Sequence, residues 1–332
     1  MDFTLPIHLP KAIELIYHQQ RILSIGSCFT EHIGNALSEV KFNVLQNPNG
    51  ILFDPASVCN SLVSYIQGKH YKDDDLFQLN EVWQTWQHHS RFSGVDADLV
   101  LKSINESQAT AHQFLKDADW LIITLGSSFS YRLVNQHMQP VANCHRAPQQ
   151  WFHKYLMPVS EIVENLDNAI HQIFHFNKKI NIIFTISPVR HVRDGVIENN
   201  RSKARLIEAV HHLVHKFNGL FYFPSYELVI DVLRDYRFYD LDLVHPNYQA
   251  TDFVLQKFME TYMNSETFEL AADIKKLVVS AKHKPAHPKT AAHNNFLKAN
   301  LKKLETLQAQ HPYLDLHKER LYFSGYQNNI LT

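Results

Sequence analysis

An α/β fold with one parallel sheet and helices on both faces follows from three observations on this 332-residue chain. Five apolar runs recur along it, they are apolar throughout rather than alternating, and helical patterns separate them. The runs are Ile22 to Ile25, Phe42 to Leu45, Trp120 to Leu125, Ile180 to Ile186 and Leu220 to Phe223.

The first run ends at Gly26, which lets the backbone turn sharply, and Ser27 follows at the start of a helix. After the second run, Asp54-Pro55 opens a helix with Asp as cap and Pro in the first turn, leading through Leu62 and Ile66. Between Asp73 and Gly94 the pattern changes. Phe77, Leu79, Val82, Trp83 and Trp86 cluster around Asn80-Glu81, which reads as a hairpin insertion whose tryptophans are expected in the core, stacking on a sugar ring being the other reading. Asn200 to Phe217 carries Leu206, Ile207, Val210, Leu213, Val214 and Phe217 at helical spacing, a face for the sheet. A helix from about Tyr248 to Tyr262 ends the first unit, residues 1–263. From Asn264 the chain looks separate: Lys275 to Lys303 is lysine-rich without an acidic residue and holds Pro285 and Pro288, a basic linker. Asn294 to Gln310 then places Leu297, Leu301 and Leu304 on one helical face. Residues 264–332 are thus expected to be a basic linker and a helical extension, the helix packed on its own domain, with a docking helix, a dimerisation element and an anionic-surface contact as the alternatives.

With 45% hydrophobic and 20% charged residues the composition is that of an ordinary globular protein. A formal net charge of −1 gives no reason to expect nucleic acid. Met1 to Gln20 contains Pro6 and Pro10 and no long apolar run, so neither a signal peptide nor a membrane span is expected there. Cys28, Cys59 and Cys144 form no C-x-x-C pair, which fits a reducing, cytoplasmic setting.

The chemistry centres on Ser27. Its place at a helix N-terminus suits a nucleophile, because unpaired N–H groups and the helix dipole would stabilise an oxyanion beside it; a plain helix cap is the other reading. Asp242-Leu243-Val244-His245 lies after the last strand and before a helix, so both side chains can face the carboxyl edge of the sheet, where open α/β folds bind ligands. A His held by a carboxylate supplies the base that a serine hydroxyl needs. Arg190, His191 and Arg193 follow the fourth strand at that edge and suit an anionic or hydroxyl-rich substrate. Zinc is the weaker reading of His211 and His215, since no Glu follows His211 and His215 falls on the polar side of the helix; His283 and His287 flank Pro285 and share no face. No metal or other cofactor is expected.

Gly26-Ser27-Cys28-Phe29-Thr30 resembles the signature of the GSCFA-domain family, related to SGNH/GDSL-type hydrolases, with Thr30 in place of the final Ala. Further matching segments follow in order over residues 20–260. They are Asn47-Pro48-Asn49-Gly50-Ile51-Leu52-Phe53-Asp54-Pro55, Thr124-Leu125-Gly126-Ser127-Ser128, Val141-Ala142-Asn143-Cys144-His145, Ser187-Pro188-Val189-Arg190-His191 and Asp242-Leu243-Val244-His245-Pro246-Asn247. The resemblance implies a three-layer αβα fold with flavodoxin-like strand order 2-1-3-4-5. It also implies a serine esterase acting on small acyl groups such as O-acetyl, with a small-molecule or carbohydrate ester as partner. It puts Ser27, His245 and Asp242 in a triad, the N–H groups of Ser27 and Gly50 in the oxyanion hole, and His89, His145, Arg190 and His191 near the substrate. The family's third donor, an Asn in a Gly-x-Asn-Asp loop, is absent, because Ser128 stands there; either Ser128 or Asn143 is expected to replace it. An acyltransferase with the same triad and a non-catalytic carbohydrate-binding protein are the alternatives.

Overall fold

A computed structural model describes residues 5–134 and 138–325. β1 (Arg21–Gly26) leads into α1 (Cys28–Glu39), and β2 (Asn43–Gln46) into α2 (Pro55–Gln67), which Asp54 caps by accepting the Ser57 N–H. A hairpin of β3 (Phe77–Leu79) and β4 (Val82–Gln84) comes next, turning through Asn80 and Glu81, both at positive φ. Then come α3 (Ala97–Asp117), β5 (Trp120–Leu125), β6 (Phe129–Leu133), β7 (Gln139–Val141) and β8 (Phe152–Leu156). α4 (Val159–Phe176), β9 (Asn181–Ile186), α5 (Val196–Lys216) and β10 (Leu220–Phe223) complete the βα units. The remainder is helical: α6 (Ser225–Glu227), α7 (Tyr248–Tyr262), α8 (Ser265–Ala281), α9 (Ala291–Gln310) and α10 (His317–Phe323).

The main sheet has five parallel strands in the order β2-β1-β5-β9-β10, the order expected, with each run within a residue of its expected place. Both faces of its central strands are covered, which explains their unbroken apolarity. Ile22, Trp120, Ile122 and Ile183 point to the face carrying α1 and α7. Leu23, Ile25, Leu121, Ile123, Ile182 and Phe184 point to the face carrying α2 to α5. The period of two along each strand decides which side chain joins which core.

The tail is not separate. Leu297, Leu304, Leu314, Leu316 and Phe323 are buried in the same core as Ile22, Trp120 and α7. Each such side chain contributes about 1.5–3 kcal/mol, enough to order the extension against the sheet domain. The basic stretch is likewise not all linker, since Lys275 and Lys276 lie on α8; its lysines point outward while Leu270, Ile274, Leu277 and Val278 face the core. The chain between α8 and α9 is the short piece 282–290.

The sequence did not suggest a three-stranded antiparallel sheet, order β7-β6-β8, which rises from the end of β5. It meets the β3-β4 hairpin in a small core of Trp86, Leu133 and Val141, where Phe77 stacks on Trp86 at 3.6 Å. The N–H groups of Ala142 and Asn143 donate to Trp86 O and join the two insertions. Trp86 is core, as expected, whereas Trp83 is half-buried and packs against a separate cluster of Tyr71, Val100 and Ile104.

Candidate active site

β1, β5 and β9 are neighbours and end nearly level, with Gly26 opposite Thr124 and Leu125 opposite Ile186. Their carboxyl ends therefore set Ser27, Gly126 and Ser187 side by side. Gly26 turns at φ +139°, and a Cβ there would lie 2.0 Å from Thr124 O, so only glycine fits this approach. Asn47 fixes the turn from the other side: its N–H donates to Ser24 O at 2.8 Å and its Oδ1 accepts the Gly26 N–H at 2.8 Å.

Ser27 occupies the N-cap position of α1, yet its hydroxyl caps nothing. The residue is fully buried and Oγ has no hydrogen-bond partner. A serine N-cap ordinarily accepts an N–H from the first turn, and an unpaired buried hydroxyl costs about 1–3 kcal/mol. The capping account of Ser27 therefore fails, and its hydroxyl is left unengaged.

Gly126, Phe53 and His191 form the wall beside it. Around the point where a Cβ on Gly126 would stand, Ser27 Cβ lies at 3.2 Å, His191 Nε2 at 3.3 Å and Phe53 Cδ1 at 3.3 Å. Phe53 meets the His191 ring edge-on at 5.4 Å, and its carbonyl accepts the N–H groups of Gly126 and Ser127 at 2.8 and 2.9 Å. The Asn199 Oδ1 accepts the His191 N–H at 2.8 Å. His191 Nε2 is buried without a partner, and burial pushes the imidazole down to about 3, with the Lys203 and His245 charges acting in the same direction.

Beneath the wall sits Lys203, itself buried, donating to Gly126 O and Ser187 O at 2.6 Å each. Desolvation lowers its ammonium to about 7. Burial also pushes the Cys28 thiol up, and the first-turn N–H groups of Phe29 and Cys28 and the Lys203 charge oppose that rise.

The Asp242-His245 loop is the exposed side of the site. Asp242 Oδ2 lies 2.6 Å from His245 Nδ1, and Oδ1 accepts the N–H groups of Val244 and His245 at 2.9 and 3.0 Å. The His245 hydrogen bond and then these backbone donors hold the carboxyl down to about 2. Arg190 ties the loop to the sheet edge: its N–H donates to Val244 O and its Nη1 to Leu243 O, both at 3.2 Å, while the guanidinium lies 4.1 Å from the Tyr239 ring centre. His245 and Asp242 are thus paired as expected, and the loop stands beside His191. No hydrogen bond joins His245 to Ser27.

The expected donors of Ser27, Gly50 and Ser128 are engaged elsewhere. The Ser27 N–H continues the strand ladder to Thr124 O at 3.1 Å, and the Gly50 N–H closes a turn to Asn47 O at 2.7 Å. Ser128 Oγ donates to Ser202 O at 3.1 Å, anchoring α5. Asn143 Oδ1 accepts the His145 N–H at 2.8 Å, turning the side chain onto its own loop. Of the expected substrate contacts, Arg190 serves the loop instead, and His145 Nε2 pairs with Thr85 O at 2.7 Å beside Phe77 and Trp86. His89 packs on Gly50, where a Cβ would meet its own Cβ at 2.1 Å, and stands at the rim with Arg91 and Glu31.

Sequence reasoning missed Phe53, Gly126 and Lys203 as neighbours of Ser27. Lys203 left a signal: it stands three residues before Leu206 and seven before Val210, on the apolar face of α5, where a charge is out of place. Among the described residues there is no group of three or more His, Cys, Asp or Glu side chains placed to hold a metal ion, and no helix is long and apolar enough to cross a membrane. His211 packs on Tyr222 at 4.5 Å.

Residues 21–258 match the model of the GSCFA family, and residues 274–325 match that of the GSCFA domain protein, C-terminal domain. No curated protein matches the chain.

Proposed function

For this chain, which belongs to the GSCFA family, we propose serine ester hydrolysis, and the relation to SGNH/GDSL-type hydrolases is part of that proposal. The observation that carries it is the Ser27 hydroxyl, buried and unpaired at a helix N-terminus, with the Asp242-His245 pair on the adjacent loop. Ser27 attacks the acyl carbonyl, His245 takes the proton and returns it to the leaving alcohol, and Asp242 holds the imidazole by Nδ1. Water then resolves the acyl-enzyme by the same route. Because Ser27 is fully buried and His245 is not bonded to it, substrate binding has to draw the loop inward and displace Phe53, the outward-facing member of the wall. The close approach of Phe53, His191 and Gly126 favours a small acyl group such as acetyl, on a small-molecule or carbohydrate alcohol.

A fluorophosphonate probe tests the reading. Labelling is expected at Ser27 in the wild type and absent in Ser27→Ala; folded wild-type protein that takes no label sinks it. Adding a sugar acceptor during acetyl-ester turnover separates hydrolysis from acyl transfer by its products. The engaged N–H groups of Ser27 and Gly50 favour a second reading, a non-catalytic carbohydrate-binding protein on this fold. Saturable sugar binding without labelling would select it.

A further inference from the structure

We propose that the Nε2–H of His191 is an oxyanion donor for the Ser27 ester, taking the place of the missing amide side chain. This rests on the hydrolase reading above. His191 Nε2 and Ser27 Oγ are both buried polar atoms without partners, and His191 Nε2 and Ser27 Cβ approach the same face of Gly126, 3.3 and 3.2 Å from where a Cβ would stand. Once Phe53 has moved aside, an acyl group bonded to Ser27 Oγ would put its carbonyl oxygen on that face, next to Nε2. The His191 main chain is fixed for this, its N–H donating to Asn199 Oδ1, which limits where the ring can go. A donor set in advance is what a developing charge requires, because none of the cost of reorientation falls on the transition state.

Charge decides between donor and base. As a base His191 would become an imidazolium in a desolvated site that already holds the Lys203 ammonium, and both burial and that charge oppose it. His245 is exposed and has Asp242 at 2.6 Å to balance the proton. The proton therefore goes to His245, while His191 stays neutral and donates, a role open to an imidazole whose pKa is lowered. In the step itself the Ser27 Oγ–carbon bond forms, the carbonyl π pair moves onto oxygen beside His191 Nε2, and the Ser27 proton passes to His245. Collapse returns the pair to the carbonyl and expels the alcohol with that proton.

Two variants and one spectrum test the assignment on the full chain. His191→Phe keeps a ring and removes the donor, and kcat for p-nitrophenyl acetate is expected to fall about 10²–10³-fold with KM little changed. His191→Gln keeps an N–H without a base and is expected to recover at least roughly tenfold of that loss. Nitrogen NMR of the wild-type imidazole is expected to show a neutral Nε2–H tautomer from pH 5 to 8. A wild type that labels at Ser27 and turns over, but whose His191→Phe variant matches it in kcat, overturns the donor role and leaves the hydrolase reading intact. So does an Nδ1–H tautomer, or a folded His191→Gln as inactive as His191→Phe, which would make His191 the base. A wild type that neither labels nor turns over removes both proposals together.

Discussion

The two halves of the candidate site are built in opposite ways. Ser27 stands in a buried, backbone-locked floor, where Gly26, Asn47, Gly126 and Lys203 are fixed by hydrogen bonds to the main chain of neighbouring strands and their loops. Asp242 and His245 sit on a water-exposed loop joined to that floor chiefly through Arg190. A buried floor gains its precision from packing and cannot adjust without loss of fold stability. An exposed loop makes few such contacts, so it can move at little cost and substitutions in it are tolerated by the fold. On the proposed mechanism, the difference puts nucleophile positioning in the core of the protein and proton transfer on its surface.

Asp242→Asn gives the widest separation of the two. It should lower kcat for an acetyl ester by about 10⁴-fold, since the wrong imidazole tautomer is then held, while unfolding stability in urea changes by less than about 0.5 kcal/mol. An equal loss in stability would break the contrast. Gly26→Ala probes the opposite half. The new Cβ meets backbone, Thr124 O, at 2.0 Å in a positive-φ turn, so a destabilisation of about 4 kcal/mol or more is expected in the same urea experiment.

Acid and alkali also read buried groups, His191 and Lys203 beside Ser27 and, outside the site, His88, buried against Tyr71 and Phe92. His88 and His191 are held at about 3 by burial, below the ordinary value of about 6.5 that they regain on unfolding. The unfolded chain then binds more protons between those two values, so stability is complete above about pH 6.5 and falls as pH drops, by up to about 1.4 kcal/mol per pH unit for each histidine. Lys203, at about 7 when folded, works in the same sense at higher pH: stability rises from pH 7 toward the unfolded value of about 10.4. Urea titrations from pH 4 to 10 should show both limbs, and Lys203→Met should flatten the upper one. The smallest effect is expected where the halves meet. Arg190→Ala frees the loop from the sheet edge and should cut kcat roughly tenfold through misplacement of His245, with a stability change under about 1 kcal/mol. A kcat unchanged in that variant would mean that the loop finds its place without Arg190.

The fold was legible because burial writes itself into local sequence. Strands covered on both faces must be apolar at every position, so Trp120 to Leu125 and Ile180 to Ile186 stand out without any partner being known. The small sheet did not stand out. Phe129–Leu133 mixes Ser130 and Arg132 with aromatics, and β7 is three residues long, too short for a period to show. The tail misled for a related reason: lysines on the outer faces of α8 and α9 dominate the composition, while the few leucines that dock it to the core carry the energy.

Within the site, the sequence by itself determined the Asp242-His245 pair, a contact between residues three apart, and marked the Gly26-Ser27 turn through the glycine that ends an apolar run. Only the tertiary structure decided that Ser27 caps no helix, that Ser128 and Gly50 are already engaged, and that His191, Phe53 and Lys203 close around Gly126. Those residues are separated by as many as 176 positions, from Ser27 to Lys203, and meet only because β1, β5 and β9 lie side by side. Which hydrogen-bonding group is left unpaired depends on all of its neighbours at once, and no local pattern in the chain encodes that.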